Sequence, residues 1–427
     1  MRLRDKEETS GLGPNREQAE SPSPSQVPHG SALSARGDVY SGLLDRVFRF
    51  VLEESEILEG QRSVAGELAA ELQALSFEQQ RLVIENSPRY NSWALVEQLL
   101  IEAQSLWVDD PRRAERIAVL AQSAADRIDV SGYRSRLLAD LKAEAWSSIA
   151  NCRRILSDMS GANEAFLTAE ALLESGTGDS MERARFLNLK ASYLLDSRRF
   201  DEAAAALEAA IRGFRSSSDR HLEGRALLLF AKLLRDQGDT EQSLIKLREA
   251  EPLLDFERDP YLEFHHQYKV LVYLVDLDRA VEARQLLPRV RELARLHARR
   301  LDRVRLLWTE GLLCRASGQK ELAEAALLQV RESFIAEGIG FDVALVSLDL
   351  AGLYQETGCA AEVRQLAIET MPIFASLNVQ RELVMAWTLF LEATKQDVAS
   401  LQVIDRVASQ IRTTRDGSRA ARPEDSQ

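Results

Sequence analysis

Three observations predict an all-α solenoid, a stack of antiparallel helix hairpins with a period of about 40 residues. Leu, Ala, Glu and Arg dominate a composition that is 45% hydrophobic, 28% charged and 6% aromatic. That mixture favours helix, and the β-branched runs that strands need are nearly absent. Apolar residues recur three and four apart through most of the chain. One phrase also returns at a fixed interval, as "DSRRFDEAAAALEAA" at 196–210, "DQGDTEQSLIKLREA" at 236–250 and "ASGQKELAEAALLQV" at 316–330.

The elements follow in order. Residues 1–36, including "ESPSPSQVPHGSALSARG", are rich in Ser, Pro, Gly and charge, so burial cannot offset their ordering entropy and a disordered tail is expected. Residues 37–90 read as an N-terminal group of helices ahead of the repeats. Within it, "LLDRVFRFVLEE" (43–54) and "VAGELAAELQAL" (64–75) carry the helical period. "SFEQ" at 76–79 then has the form of a capping box before "RLVIEN". Asp110 followed by Pro111 marks a helix start, because Asp caps free amides and Pro tolerates the first helical position. Ala114, Ala118 and Ala121 suggest an irregular first hairpin over 91–128.

Beyond it the repeat is read by aligning small residues. Ala162, Ala203, Ser243, Ala283, Ala323 and Val363 form one column, spaced by 41 residues once and then by 40. Four residues later come Phe166, Leu207, Leu247, Leu287, Leu327 and Ala367, and three after those Ala169, Ala210, Ala250, Val290, Val330 and Thr370. These offsets put all three columns on one helical face. Twelve residues before the first column stand Ala150, Ala191, Ala231, Leu271, Gly311 and Ala351, on the preceding helix. Gly238, Gly318 and Gly358 fall between the two helices, suited to a C-cap. Helices approach closely only where side chains are small, and each hairpin alone leaves an apolar face wet, so stability must come from stacking. The array is expected over 91–412, with a degenerate closing pair at 383–412 and a second disordered tail at 413–427.

These columns resemble the tetratricopeptide repeat (TPR) family. Its small residue, turn and Ala-large-Ala pattern is matched by "ASYLLDSRRFDEAAAALEAA", "AKLLRDQGDTEQSLIKLREA" and "AGLYQETGCAAEVRQLAIET". Trp146 and Trp387 stand where that family often has Trp, and Pro252 and Pro372 fall near its helix-ending Pro. "RLVIENSPRYNSWALVEQLL" is similar to the N-terminal helices that precede the array in bacterial repeat proteins. The family period is about 34 residues. Here the excess is expected in longer helices and in the connectors "SSSDRHLEGR" and "HARRLDRVR". The resemblance implies a right-handed solenoid of seven or eight pairs, with a partner-binding groove lined by the first helix of each pair. It would place Asn151, Arg154, Arg185, Asn188, Ser192, Arg225, Lys232, Arg235, His265, Tyr268, Arg305, Trp308 and Arg315 there.

Two readings of that face stay open. It is either a solvated surface of mixed charge, tempered by Glu144, Asp196, Asp236 and Asp276, or a groove whose Arg forks capture acidic side chains or a C-terminal carboxylate. In the second case Tyr268 and Trp308 would grip apolar groups, although both could equally pack between repeats.

No catalytic constellation emerges, and no metal site or cofactor is expected. "GTGD" at 176–179 lacks the Lys-Ser/Thr of a phosphate-binding loop, and adjacent His265 and His266 point about 100° apart on a helix. Cys152, Cys314 and Cys359 are widely spaced and read as packing residues in a reducing, cytoplasmic setting. A net charge of -13 opposes non-specific binding to nucleic acid or anionic membrane, and no segment has the length of apolar residues that spans a bilayer. The expected role is a non-enzymatic scaffold for another protein or peptide. The alternative is a sensor or regulatory subunit of a signalling or transcription system, in which the N-terminal helices of 37–90 dock an effector.

Overall fold

The computed structural model describes residues 55–129 and 133–376, with scattered positions between 384 and 408. Residues 1–60 and 61–427 form two units, and the helix array belongs to the second. The expected tails at 1–36 and 413–427 and the helix expected at 43–54 lie outside the described residues. The expected closing pair is described only at isolated positions.

Residues 61–73 are helical (α1) and bury Ala65, Leu68, Ala69 and Leu72, one side of a helix by their spacing. α2 (Phe77–Asn86) opens on the expected capping box: the Ser76 hydroxyl accepts from the Gln79 backbone, and the Gln79 side chain accepts from the Ser76 N–H. α3 (Trp93–Leu106) and α4 (Pro111–Ala125) form the first hairpin, with the Asp110 carboxylate accepting from Arg113 N at 3.0 Å. Six more hairpins follow among the described residues. They are α5 (Tyr133–Ile155) with α6 (Met159–Ser175), α7 (Ser180–Asp196) with α8 (Phe200–Ser216), and α9 (Arg220–Asp236) with α10 (Thr240–Ala250). Then come α11 (Pro260–Asp276) with α12 (Ala280–His297), α13 (Arg300–Ala316) with α14 (Lys320–Ala336), and α15 (Gly340–Glu356) with α16 (Ala360–Ser376).

The 40-residue period has a simple origin. α7, α8 and α9 are 17 residues each, and three-residue turns separate them. Two such helices and two such turns complete one repeat. The expected connectors are therefore mostly helix, since only Ser217–Asp219 of "SSSDRHLEGR" and Ala298–Arg299 of "HARRLDRVR" lie between helices. A longer link does separate α10 from α11, where Pro252 ends α10 in the 3-10 turn Glu251–Leu253. Pro372, by contrast, lies inside α16 and terminates nothing.

In the six hairpins from α5 to α16, the turn from the first helix to its partner reverses through one residue in the left-handed region: Ser157, Arg198, Gly238, Asp278, Gly318 and Gly358, with φ from 55° to 92°. Glycine meets that demand without strain at three of them. At the other three the same backbone bonds hold a residue with a Cβ, as Asp158 N to Arg153 O at 2.9 Å matches Asp239 N to Leu234 O at 2.9 Å.

The small columns are the hairpin contacts. Ala162, Ala203, Ser243, Ala283 and Ala323 are fully buried, as are Ala150, Ala191, Ala231, Leu271 and Ala351 opposite them. A Cβ on Gly311 would stand 3.3 Å from Ala326 and Leu327, so the helices there are as close as side chains permit. Ser243 keeps its hydroxyl satisfied in this tight seam by donating to the Ala231 carbonyl. Successive first helices approach one another more closely than successive second helices, which bends the stack with the first helices inside. The coil is tight enough that Arg299, between α12 and α13, pairs with Asp109, between α3 and α4, at 2.8 Å across 190 residues.

The inner face as candidate functional site

The first helices α5, α7, α9, α11, α13 and α15 present their free faces to the inner side, and polar seams join α5 to α7 and run on from α9 through α11 and α13 to α15. Arg154 donates to Asp196 at 2.5 Å, Arg235 to Asp276 at 2.8 Å and Arg315 to Glu356 at 2.6 Å. The Tyr261 hydroxyl meets Asp302 at 3.1 Å, Tyr268 meets Thr309 at 3.3 Å, and the Trp308 indole donates to Asp349 at 2.7 Å. All these partners lie 41 or 42 residues apart, about one repeat, so each bond fixes a hairpin against its neighbour.

Every cation that the sequence places on this face meets a carboxylate. Besides Arg154, Arg235 and Arg315, Arg185 lies 3.8 Å from Glu182, Arg225 3.9 Å from Asp259, Lys232 2.8 Å from Asp236 and Arg305 3.6 Å from Asp342. Asn151 is buried, and its side-chain oxygen accepts from Arg154, so it serves the seam. Ser192 is partly buried and bonds back to the Asn188 carbonyl at 3.4 Å. Trp308 packs edge-on against Phe334, with ring centres 5.8 Å apart, and Tyr268 stacks with Phe264 at 5.8 Å. These ring contacts lie within one hairpin, and it is the hydrogen bonds of Tyr268 to Thr309 and of Trp308 to Asp349 that join each aromatic to the next repeat, as one of the two sequence readings allowed. His265 stacks on Tyr261; burial, helped by the Lys269 and His266 charges, pushes its pKa down to about 3, so it is neutral.

Sequence reasoning missed Lys269, which follows His265 by four residues on the same helix. Among the described residues its ammonium has no carboxylate within 4 Å. Burial first, then the Lys232 and Arg235 charges, pushes its pKa down to about 8. The spacing from His265 was the available signal, since residues four apart share a face. On α7 the Asn188 side-chain oxygen is buried and accepts no hydrogen bond among the described residues.

At the other end of this face the sign reverses. Glu144 on α5 is pushed up to about 7, mainly by burial and then by the Glu182 charge, and burial also raises Glu182. Among the described residues no group of three or more His, Cys, Asp or Glu is arranged to hold a metal, and no helix is long and apolar enough to cross a membrane. Cys152 is buried, which pushes its thiol up to about 12 and keeps it from nucleophilic chemistry.

No protein-family model matches this chain, and no curated protein does. Solved structures are similar. A Rap protein complexed with Competence and Sporulation Factor is 13% identical with a TM-score of 0.56, over 76% of this chain and 88% of that one. The apo form of RapI is 14% identical with a TM-score of 0.55, over 75% and 87%. Aspartyl phosphate phosphatase F from Bacillus subtilis is 13% identical with a TM-score of 0.50, over 71% and 78%. At such identities the likeness is one of fold: the chain is a right-handed, TPR-like solenoid of antiparallel helix hairpins.

Proposed function

We propose that the protein is a non-catalytic interaction scaffold whose inner face binds a segment of another protein, with acidic side chains or a C-terminal carboxylate of the guest at α9–α13. The observation that carries this is Lys269. A partly buried ammonium with no carboxylate within 4 Å among the described residues, flanked by Lys232 and Arg235 and drawn only by the more distant Asp236, is poorly solvated and has charge to offer. The seven paired cations of the same face offer less, because a guest carboxylate would have to displace an internal one. Their contribution is the long-range field and the fixed geometry of the walls.

The reversal of charge supports an orientation for the guest. Basic residues of the segment would lie toward Glu144 and Glu182, and acidic ones toward Lys269. Asn188, on α7 with Glu182, would accept a backbone N–H of an extended guest. The neighbour solved with Competence and Sporulation Factor fits a binding role for this architecture.

Affinity capture from the native cell, followed by mass spectrometry, tests this. The Lys269→Glu/Arg305→Glu variant should lose the partner that wild type retains, while a variant altered on the outer face, Arg212→Ala, should keep it. Equal recovery by all three would remove the basic groove as the binding site.

A further inference from the structure

A second site is suggested away from the inner face, where α14, α15 and α16 meet, and it does not depend on the proposed groove. Arg331 of α14 is only 9% exposed. Its guanidinium donates to two hydroxyls, Ser347 at 3.0 Å and Thr370 at 3.1 Å. Both hydroxyls are themselves spent as donors on backbone carbonyls, Val343 at 2.7 Å and Leu366 at 2.8 Å, so neither brings charge to the arginine. Among the described residues no carboxylate stands within 4 Å of it.

The repeat itself shows that this is unusual. One period earlier Arg291 on α12 occupies the matching place, and it donates to Glu310 of α13 at 2.7 Å. At α6–α7 the same kind of contact joins Lys190 to Glu170 at 2.8 Å. The residue one period after Glu310 is Leu350, fully buried and apolar. Arg331 has therefore kept the cation and lost the anion. A buried cation with no carboxylate within 4 Å is costly, and burial accordingly weakens its hold on the proton, opposed by the more distant Glu369 and Glu332 charges.

Arg331 lines a depression of about 390 Å³. Its apolar wall is Leu328 and Leu366, and its rim carries the carboxylates of Glu362 and Glu369. Glu369 accepts from Gln365 at 2.7 Å, whereas Glu362 has no hydrogen-bonding or ionic partner among the described residues. A guanidinium at the base and carboxylates at the rim discriminate between ligand classes. A phosphate would meet the rim's repulsion, and a simple cation would meet the arginine. A molecule carrying one charge of each sign satisfies both.

We propose that this depression binds the zwitterion of an apolar α-amino acid, free or as a dipeptide. Its carboxylate lies on the Arg331 fork, its ammonium toward Glu362 and Glu369, and its side chain on Leu328 and Leu366. The carboxylate completes the ion pair that Leu350 removed, and the rest of the ligand covers apolar surface.

Calorimetric titration of the full chain tests this with L-leucine and L-leucyl-L-leucine as probes, beside N-acetyl-L-leucine, L-leucinamide and inorganic phosphate. At least one zwitterion should bind saturably at millimolar concentration or below, and which of the two binds tells the free amino acid from the dipeptide. The two blocked analogues should bind at least tenfold more weakly than L-leucine if it binds, and phosphate should not compete. Arg331→Gln should weaken the zwitterion at least tenfold and Glu362→Gln several-fold. Circular dichroism checks the folding of both variants, and if Arg331→Gln does not fold, the exposed Glu362→Gln and the blocked analogues decide. Absence of binding by either zwitterion, equal binding of the blocked analogues, or unchanged affinity in the folded variants would overturn the proposal.

Discussion

Glu144 of α5 stands one period before Arg185, and Arg225, His265 and Arg305 follow at the same repeat position. The two stretches share a scaffold and differ in sign. Around α5 and α7 burial raises the pKa of two carboxylates, Glu144 and Glu182. Around α9 and α11 the same burial lowers that of a cation, Lys269. Burial disfavours whichever charged form is present, so one physical cause acts in opposite directions along one surface. Where charges are matched, as at Arg154–Asp196, the seam is closed and structural. Where they are not, at Glu144 and Lys269, the surface holds stored electrostatic cost that a guest could relieve.

The largest expected effect tests the matched class. Arg154→Ala would leave Asp196, whose side chain is 11% exposed, without its cation, and should lower unfolding free energy by about 2–3 kcal/mol in denaturant titration. A change under about 0.5 kcal/mol would mean that the seam does not hold the repeats together.

Next comes the acidic stretch. The folded pKa of Glu144 is raised from 4.5 to about 7, so the folded state holds the extra proton between those values and stability falls as pH rises through that window. Glu144→Gln removes the charge and should stabilise by about 1–3 kcal/mol above pH 7, with the gain vanishing near pH 4. A gain independent of pH would assign it to packing instead.

The basic stretch should show the opposite slope. Lys269 is lowered from 10.5 to about 8, so the unfolded chain binds more protons between those values and stability rises with pH there. Lys269→Met should stabilise by about 1–2 kcal/mol at pH 7, and that gain should fade between about pH 8 and pH 10.5. Thermal melts of wild type and variant across this range would read it. The smallest effect belongs to Arg212→Ala on α8, whose pair with Glu208 at 3.8 Å is exposed at both ends; stability should stay within about 0.5 kcal/mol of wild type.

Much of the fold was legible because its cause is local and repeated. The alanine columns, the Ser76–Gln79 box and the Asp110–Pro111 start act over a few residues, and each took its expected place. The excess length lies in longer helices, as expected, and only the part expected in the connectors was misplaced, for a physical reason. "SSSDRHLEGR" is polar enough for a loop, yet in the structure Asp219 caps α9 through Leu222 N at 3.0 Å and helix resumes at Arg220. The inner-face residues were found as a face but not as a network. Pairing of some arginines with Asp196, Asp236 or Asp276 is expected from the sequence, but which pairs form depends on side-chain reach across neighbouring helices, which a linear spacing does not convey.

The sequence by itself determined the class, the period and the interior, because helical periodicity and small-residue columns restrict which surfaces can meet whatever lies beyond them. Tertiary structure alone decided the superhelical turn that brings Asp109 to Arg299, the pairing that neutralises the seven inner cations, and the unmatched charge of Lys269 and Arg331. Those are questions of distance between residues tens to hundreds of positions apart, and Coulomb energy and desolvation are set by that distance and by burial, not by order along the chain.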